Sequence, residues 1–230
     1  MKTPADGTSF DFVIIATLRP EILRLTLDSF RPLFECFPNR RLILNVDPVG
    51  EQSVGQQQII DLCASYFSEV LSRAPAKGSF SEAVFWAWGE VKSDVFFHLE
   101  DDWCLKSPID VVSAAKALED ENVVAVRLNL KKNLTRDSDG FSLNPSFFKT
   151  KFIKSILSNF DVALDPEKQY RPMPDGFLDS KIRYYGKVGD GPFVIDTGKR
   201  WRKMHGLVKW VPGGLCCTNQ GLRLSGRMTA

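Results

Sequence analysis

Short, continuous runs of apolar residues recur through the first 130 residues of the chain. The clearest lie at positions 12–16, 42–46, 95–99 and 123–128, with a brief run at 70–71. Runs without polar alternation are typical of strands buried on both faces of a parallel sheet. The pattern therefore predicts five strands, of which 95–99 is the most apolar.

Segments with helical spacing separate these runs. Pro20 lies where a helix would begin, a favoured first-turn position, and apolar residues follow at 23, 27, 30 and 34. Residues 56–67 and 80–91 have similar spacing, and Ser107 is expected to cap a further helix that starts at Pro108. Alternating strands and helices indicate a doubly wound α/β domain. Beyond Asn129 the pattern is less regular, which indicates a change of role within one domain spanning 1–230.

The charge of the chain is unevenly distributed. The net charge is +2, yet the segment from Lys181 to Ala230 contains ten Lys and Arg and two acids. A basic end of this kind favours an anionic partner, or it forms an ordinary solvated surface.

Cysteine and histidine usage narrows the class of protein. The five cysteines are odd in number and form no C-x-x-C, which excludes a disulfide framework. His98 and His205 are the only histidines, so a metal site built from histidines is excluded. We expect a reduced, cytoplasmic location, with no signal peptide and no apolar run near the ~20 residues of a membrane span.

Three consecutive acids, Glu100, Asp101 and Asp102, follow the most apolar strand. Ligands of open α/β sheets bind outside the carboxyl ends of the strands. Uncompensated carboxylates repel one another there, and a divalent cation with oxygen ligands relieves the repulsion. The sequence thus predicts a site for Mg²⁺ or Mn²⁺ and a diphosphate, with a solvated acidic turn as the alternative.

Polar residues also follow the other strands. A carboxylate at such a position accepts hydrogen bonds from a base or ribose, and cations meet phosphates. We expect these residues to ring the same cleft as donor-binding groups, although each taken alone is more often a turn residue: Thr17, Arg19, Asp47, Lys77 and Gly78.

Several of these segments resemble GT-A glycosyltransferases, near the large family 2 group. The similarity lies in 13–21 with 27–30, in 76–80, and in 97–102, whose acids resemble a D-x-D metal motif written here as E-D-D. It covers roughly 11–130. The resemblance implies a Rossmann-like GT-A domain with a mostly parallel sheet and helices on both faces. It also implies that 11–130 bind a nucleotide sugar, that Asp102 meets the metal, and that Asp101 or Glu100 assists.

The second half, 131–230, is expected to bind the acceptor. Segment 142–146 resembles an acceptor-side loop and includes Asn144, and 174–183 resembles the segment with the general base and its following helix. By that resemblance Asp175 is the base, with Glu167 and Asp179 as alternatives, and Asp179 rather caps or solvates the helix. His205 is either a late metal ligand or an ordinary surface or core histidine.

The expected activity is hexosyl transfer, assisted by Mn²⁺ or Mg²⁺, from a nucleoside diphosphate sugar to an acceptor hydroxyl, with UDP-sugar as first choice. A carboxylate must take the proton of that hydroxyl. The acceptor is a saccharide or lipid-linked group, or hydroxymethyl-pyrimidine DNA. The DNA alternative rests on cations interleaved with aromatics, Arg200, Trp201, Arg202 and Lys203. Two other activities remain open, a nucleotidyltransferase and a non-catalytic module that binds nucleotide sugar or nucleic acid.

Overall fold

The apolar runs of the first half form five strands of an eight-stranded sheet. The computed structural model describes residues 9–129, 137–138, 140–170, 179–204, 207–209 and 222–224. The helices are α1 (Pro20–Glu35), α2 (Gln56–Ala64), α3 (Phe80–Gly89), α4 (Val111–Leu118), α5 (Thr150–Leu157) and α6 (Gly198–Met204). The strands are β1 (Phe10–Leu18), β2 (Arg40–Gly50), β3 (Glu69–Arg73), β4 (Val95–Glu100), β5 (Trp103–Leu105), β6 (Val123–Arg127), β7 (Asp137–Ser138), β8 (Ser146–Lys149), β9 (Lys181–Tyr184), β10 (Val194–Asp196), β11 (Leu207–Lys209) and β12 (Leu222–Leu224).

The order of strands in the main sheet is β3-β2-β1-β4-β8-β6-β9-β7. Strands β3, β2, β1 and β4 are parallel, as are β6 and β9. The antiparallel strands are β8, inserted between β4 and β6, and the two-residue edge strand β7. The five predicted strands are all present, and the predicted single α/β domain with a mostly parallel sheet is confirmed.

Each face of the sheet is covered by helices, as predicted. Side chains of β1 alternate between two cores: Phe12 and Ile14 pack with α1, α2 and α4, whereas Val13 and Ile15 pack with α3 and α5. All four side chains are at most 3% exposed, which explains why β1 is a continuous apolar run.

The first helix begins where the sequence predicts. Pro20 occupies its first turn and Arg19 is the N-cap residue. Leu23, Leu27 and Phe30 are fully buried on the face that packs against the sheet. Because β1 and α1 are both fixed by burial, Arg19 between them is held at the carboxyl end of the sheet.

Two expected local structures are wrong. The fourth helix starts at Val111 rather than Pro108, and its cap is Asp110, whose Oδ1 accepts a hydrogen bond from the Val112 N–H at 3.0 Å, rather than Ser107. The helix expected near 179–183 is strand β9, paired in parallel with β6. Exposed Asp179 lies in the turn before that strand and caps no helix.

A small second sheet was not predicted: β10 pairs antiparallel with β5, directly after the acids. The carbonyl oxygen of Asn129, just past β6, accepts hydrogen bonds from the N–H groups of Phe193 and Val194 at 3.0 and 3.3 Å. Lys106 N–H donates to the carbonyl of Phe193 at 2.8 Å. These bonds fasten the start of α6 beside the end of β4.

Candidate functional site

The acidic triplet lies where the carboxyl ends of β1 and β4 meet. Glu100 is the last residue of β4, in register with Ile15 of β1. The Asp101 N–H continues the pairing to the Ile15 carbonyl at 3.2 Å. The predicted position of the acids at a strand end is therefore confirmed.

Asp101 is anchored within the protein on every side. Its Oδ2 accepts hydrogen bonds from the N–H and the Oγ1 hydroxyl of Thr17, both at 2.8 Å, and its Oδ1 accepts from Arg19 Nη2. Its backbone carbonyl accepts from Thr26 Oγ1 of α1 at 2.7 Å. Only 2% of Asp101 is exposed. Asp101 thus joins β1, β4 and α1.

Arg19 supplies the positive charge that the sequence argument assigned to a metal. Its Nη2 contacts Asp101 Oδ1 and lies 3.2 Å from Asp102 Oδ2, while its Nε donates to Thr17 Oγ1 at 2.7 Å. Burial lowers the pKa of the guanidinium. The charges of Asp101 and Asp102 outweigh this effect, so the pKa of Arg19 is raised above its ordinary value. The expectation that the carboxylates lack a protein counter-charge is wrong, because Arg19 pairs with both Asp101 and Asp102.

The side chain of Asp102 is less constrained than that of Asp101. Within the described chain, the hydrogen bond and ion pairs of its side chain all involve Oδ2, with Arg19 at 3.2 Å and Arg202 at 3.9 Å. Burial, then the charge of Asp101, raises its pKa to about 6, with Asp196 adding to the rise and Arg19 opposing it. Asp102 is therefore mostly ionised at neutral pH, yet its charge is costly in this environment.

The start of α6 covers Asp102. Thr197 donates from its N–H and its hydroxyl to the Asp102 carbonyl, both at 2.8 Å. A Cβ on Gly198 would overlap the Asp102 carboxylate, so any other residue there requires that carboxylate or the start of α6 to move. Trp201 is 7% exposed, and the Arg19 guanidinium lies 5.4 Å from its ring centroid, a cation–π contact.

The acids fit a metal that is shared with a substrate rather than one enclosed by protein. Among the described residues no group of three or more His, Cys, Asp or Glu could hold a metal ion. Three hydrogen bonds engage both oxygens of Asp101, whereas the contacts of the Asp102 carboxylate within the described chain involve Oδ2 alone. Mg²⁺ sites commonly use one or two carboxylates and complete the shell with water and substrate phosphates.

The remaining residues predicted to bind the donor lie on β2, after β3 and at the end of β4. Asp47 is fully buried in β2, where its Oδ1 accepts a hydrogen bond from Asn45 Nδ2 at 2.8 Å. After β3, Lys77 is exposed and Gly78 is buried, and Glu100 is half-buried. The structure thus brings together Thr17, Arg19, Asp101 and Asp102.

The residues predicted on the acceptor side are described only in part. Glu167 accepts a hydrogen bond through Oε1 from the Leu143 N–H at 2.7 Å and so holds the loop containing half-buried Asn144. On α6, Arg200 and Lys203 are exposed and Arg202 is half-buried. Asp175 and His205 lie outside the described residues.

Three residues of the site were not predicted from the sequence: Thr26, Thr197 and Gly198. The first two are common polar residues that become informative only through contacts with residues 75 and 95 positions away. Gly198 had a weak signal, since a glycine in a helix disfavours the helix unless a close contact requires it.

Comparison with solved structures places this architecture among GT-A folds. S. aureus TarS matches at a TM-score of 0.58 and 11% identity, over 83% of this chain and 37% of that chain, and its 1–349 fragment in complex with UDP-GlcNAc matches at 0.53 and 13%, over 80% and 58%. The mannosyltransferase PcManGT from Pyrobaculum calidifontis, in complex with GDP-Man and Mn²⁺, matches at 0.55 and 12%, over 82% and 62%. A CMP:2-keto-3-deoxy-manno-octonic acid synthetase complexed with CTP matches at 0.51 and 12%, over 86% and 97%.

These likenesses, at 11–13% identity, concern the fold, and they confirm the predicted GT-A architecture. This chain spans less than two thirds of TarS and of the mannosyltransferase. No family model matches the sequence, and a search of curated proteins finds no match. Of the described helices, none combines the length and apolar character needed to cross a membrane.

Proposed function

We propose that this protein transfers a sugar from a nucleoside diphosphate sugar to an acceptor hydroxyl, with a UDP-hexose as the first-choice donor. One observation carries the proposal: Asp102 is held at the carboxyl end of β4 with a single oxygen engaged by Arg19 and Arg202 among the described contacts. This is the position at which open α/β sheets bind ligands. The solved complexes with UDP-GlcNAc and GDP-Man support the class of donor.

Asp102 is the residue that would hold Mn²⁺ or Mg²⁺, which supplies charge neutralisation for the departing nucleoside diphosphate. Thr17, Arg19 and Asp101 keep Asp102 in place and do not themselves need to touch the donor. Arg202, 3.9 Å from Asp102 Oδ2, and exposed Arg200 provide cations for phosphate oxygens beside the same carboxylate. Asp175 is proposed as the base that takes the proton of the acceptor hydroxyl.

Release of free nucleoside diphosphate tests this proposal. The purified chain is incubated with UDP-glucose, UDP-GlcNAc or GDP-mannose, with Mn²⁺, Mg²⁺ or EDTA, and hydrolysis of the donor in the absence of acceptor is followed. We expect turnover with at least one donor, lost in EDTA and restored by excess Mn²⁺. Turnover that is unchanged in EDTA contradicts the metal role, and binding of a donor without any turnover favours a non-catalytic module.

A nucleotidyltransferase is the second candidate, because the CTP-bound synthetase matches over 97% of its own length. Such enzymes usually hold the triphosphate in a glycine-rich loop after the first strand. Here that loop is Thr17-Leu18-Arg19-Pro20, and the side chains of Thr17 and Arg19 are committed to Asp101. Release of pyrophosphate from CTP or UTP with a sugar acid or sugar phosphate would favour this candidate over glycosyl transfer.

The acceptor is proposed to be a saccharide or lipid-linked group, with hydroxymethyl-pyrimidine DNA as the alternative. Exposed Arg200 and Lys203 suit an anionic acceptor. Trp201, however, packs on Arg19 and has little surface left on which a base could stack. This burial favours the saccharide or lipid-linked acceptor.

A further inference from the structure

The guanidinium of Arg19 lies among the acids of the strand end. One nitrogen, Nη2, contacts carboxylate oxygens of both Asp101 and Asp102, and Nε donates to Thr17. Arg19 is 7% exposed. A guanidinium stays protonated in proteins, so this is a permanent positive charge within the site.

The structure holds that charge in a fixed place. Arg19 is the N-cap residue of α1, and Pro20 starts the helix immediately after it. Thr17 Oγ1 accepts from Arg19 and donates to Asp101, which closes a ring of hydrogen bonds around the guanidinium. The Trp201 ring covers it from α6. Neighbouring groups from β1, β4, α1 and α6 therefore all restrain Arg19.

A metal on Asp102 would share this carboxylate with a cation that is already present. Arg19 Nη2 is 3.2 Å from Asp102 Oδ2, so a divalent ion bound to the same group meets repulsion from a nearby like charge. The three hydrogen bonds from Thr17 and Arg19 hold both oxygens of Asp101 and bring a positive charge against Oδ1, so Asp101 is disfavoured as a second ligand. Asp102 alone is thus a weak ligand for a divalent cation.

We propose that Arg19 is a resident counter-cation that makes divalent-metal binding at Asp102 depend on the diphosphate of the donor. The inference rests on the proposed function. A diphosphate brings negative charge that offsets Arg19, together with oxygen ligands that Mg²⁺ and Mn²⁺ favour. Arg19 thereby keeps the site from loading with metal alone, and it fixes Asp101 as an anchor rather than a ligand.

Binding of Mn²⁺, measured by the loss of the free-ion signal in electron paramagnetic resonance, tests the proposal without an activity assay. In the wild-type protein, we expect UDP to strengthen Mn²⁺ binding at least ~10-fold, after correction for the Mn²⁺–UDP complex itself. The UDP concentration is about 1 mM, the upper end of typical KM values. Arg19→Gln should strengthen Mn²⁺ binding without UDP by at least ~10-fold, or ~1.4 kcal/mol. Arg24→Gln, at an exposed position on α1, should leave it unchanged.

A double variant identifies the ligand that Arg19 suppresses. If loss of Arg19 frees Asp101, then Arg19→Gln combined with Asp101→Asn should lose most of the gain in Mn²⁺ affinity. Circular dichroism establishes that each variant is folded. A folded Arg19→Gln protein whose Mn²⁺ affinity equals that of wild type overturns the inference.

The wild-type measurement keeps the inference testable even if Arg19→Gln does not fold. Equal Mn²⁺ affinity in the presence and absence of UDP would by itself overturn it. Failure of the proposed function is a separate outcome, because it would be an absence of turnover with every nucleotide sugar. An active transferase with UDP-independent Mn²⁺ binding would retain the proposed function and refute the role given to Arg19.

Discussion

Gly198 and Asp102 are in such close contact that a Cβ at position 198 would overlap the carboxylate of Asp102. The contact joins residues 96 positions apart in sequence, through the pairing of β10 with β5. The order of the chain alone therefore says little about this site, which is completed by a segment from its far end.

Gly198→Ala should displace the start of α6 from the acids. Repacking of an overfilled site of this kind costs about 1–3 kcal/mol. We expect a lower melting temperature and weaker binding of UDP with Mn²⁺, measured by thermal denaturation and calorimetry. Gly89→Ala is the matched control, because a Cβ there has no neighbour within 4 Å and alanine favours a helix. If both variants melt like wild type, the close contact has no energetic consequence.

Replacing Asp101 and Asp102 by their amides should distinguish a residue that stabilises the fold from one that binds the metal. Asp102→Asn should abolish transfer yet leave stability at pH 7 unchanged or increased, because the raised pKa of Asp102 shows that its ionised form is disfavoured by folding. Asp101→Asn should instead destabilise the protein, by about 3–5 kcal/mol, because it leaves Arg19 without its main partner.

Urea denaturation and donor turnover of the two variants check this contrast. Full transfer by Asp102→Asn at saturating donor and Mn²⁺ would refute the role of Asp102. Wild-type stability of Asp101→Asn would refute the role of Asp101 as an anchor.

The central sheet was predictable because burial leaves a local pattern. Strands β1 and β4 are covered on both faces, so each reads as a continuous apolar run, and the acids directly after β4 had to lie at a ligand-binding edge. The helix α1 was equally clear from Pro20 and its apolar spacing.

The contacts that complete the site had no such local signal. Strands of three residues, such as β5 and β10, are too short for alternation to be recognised, and their pairing is a long-range property. The ion pair of Arg19 with Asp101 spans 82 positions and places a positive charge where only negative charge was expected. Ser107 and Asp110 are both good N-cap residues, so the start of α4 was ambiguous from residue type.

Stability should fall as the pH drops below about 6.5, because of His98. This side chain is fully buried, and its Nδ1 accepts a hydrogen bond from Trp88 Nε1 at 3.3 Å. Burial lowers the pKa of His98 from 6.5 to about 3. Between these values the unfolded chain binds a proton that the folded protein does not, so the free energy of unfolding decreases by about 1.4 kcal/mol per pH unit from this group.

The variant His98→Asn can keep an acceptor for Trp88 but does not titrate. Its free energy of unfolding should therefore change less than that of wild type between pH 7 and pH 5, by about 2 kcal/mol. Urea denaturation at the two pH values provides the comparison. Parallel losses in both proteins would show that His98 contributes nothing to the acid sensitivity.

Removal of the proposed base should affect turnover far more than donor binding. Asp175 is proposed to take a proton from the acceptor, and an amide at this position cannot. In Asp175→Asn, kcat should therefore fall while the Kd for the donor stays close to wild type. Glu167→Gln is the informative comparison, because Glu167 holds the Leu143 N–H and its loss should mainly loosen that loop. If Glu167→Gln lowers kcat selectively and Asp175→Asn does not, the base has been assigned to the wrong carboxylate.

The exposed cations of α6 provide the last prediction, which concerns the acceptor. If the acceptor is DNA, Arg200 and Lys203 contact phosphates, and the logarithm of the binding constant falls with the logarithm of the salt concentration with a slope of about −0.9 for each contact. Arg200→Ala with Lys203→Ala should then make the slope shallower by about 1.8 for duplex DNA. The pair Arg24→Ala and Lys116→Ala removes two exposed cations from α1 and α4 and should leave the slope unchanged.

Fluorescence anisotropy with duplexes containing hydroxymethylcytosine or cytosine measures these slopes. Because Trp201 is buried against Arg19, we expect the two duplexes to bind equally and weakly, as a saccharide or lipid-linked acceptor requires. Tight binding that prefers the hydroxymethylated duplex would reverse this conclusion and make DNA the acceptor.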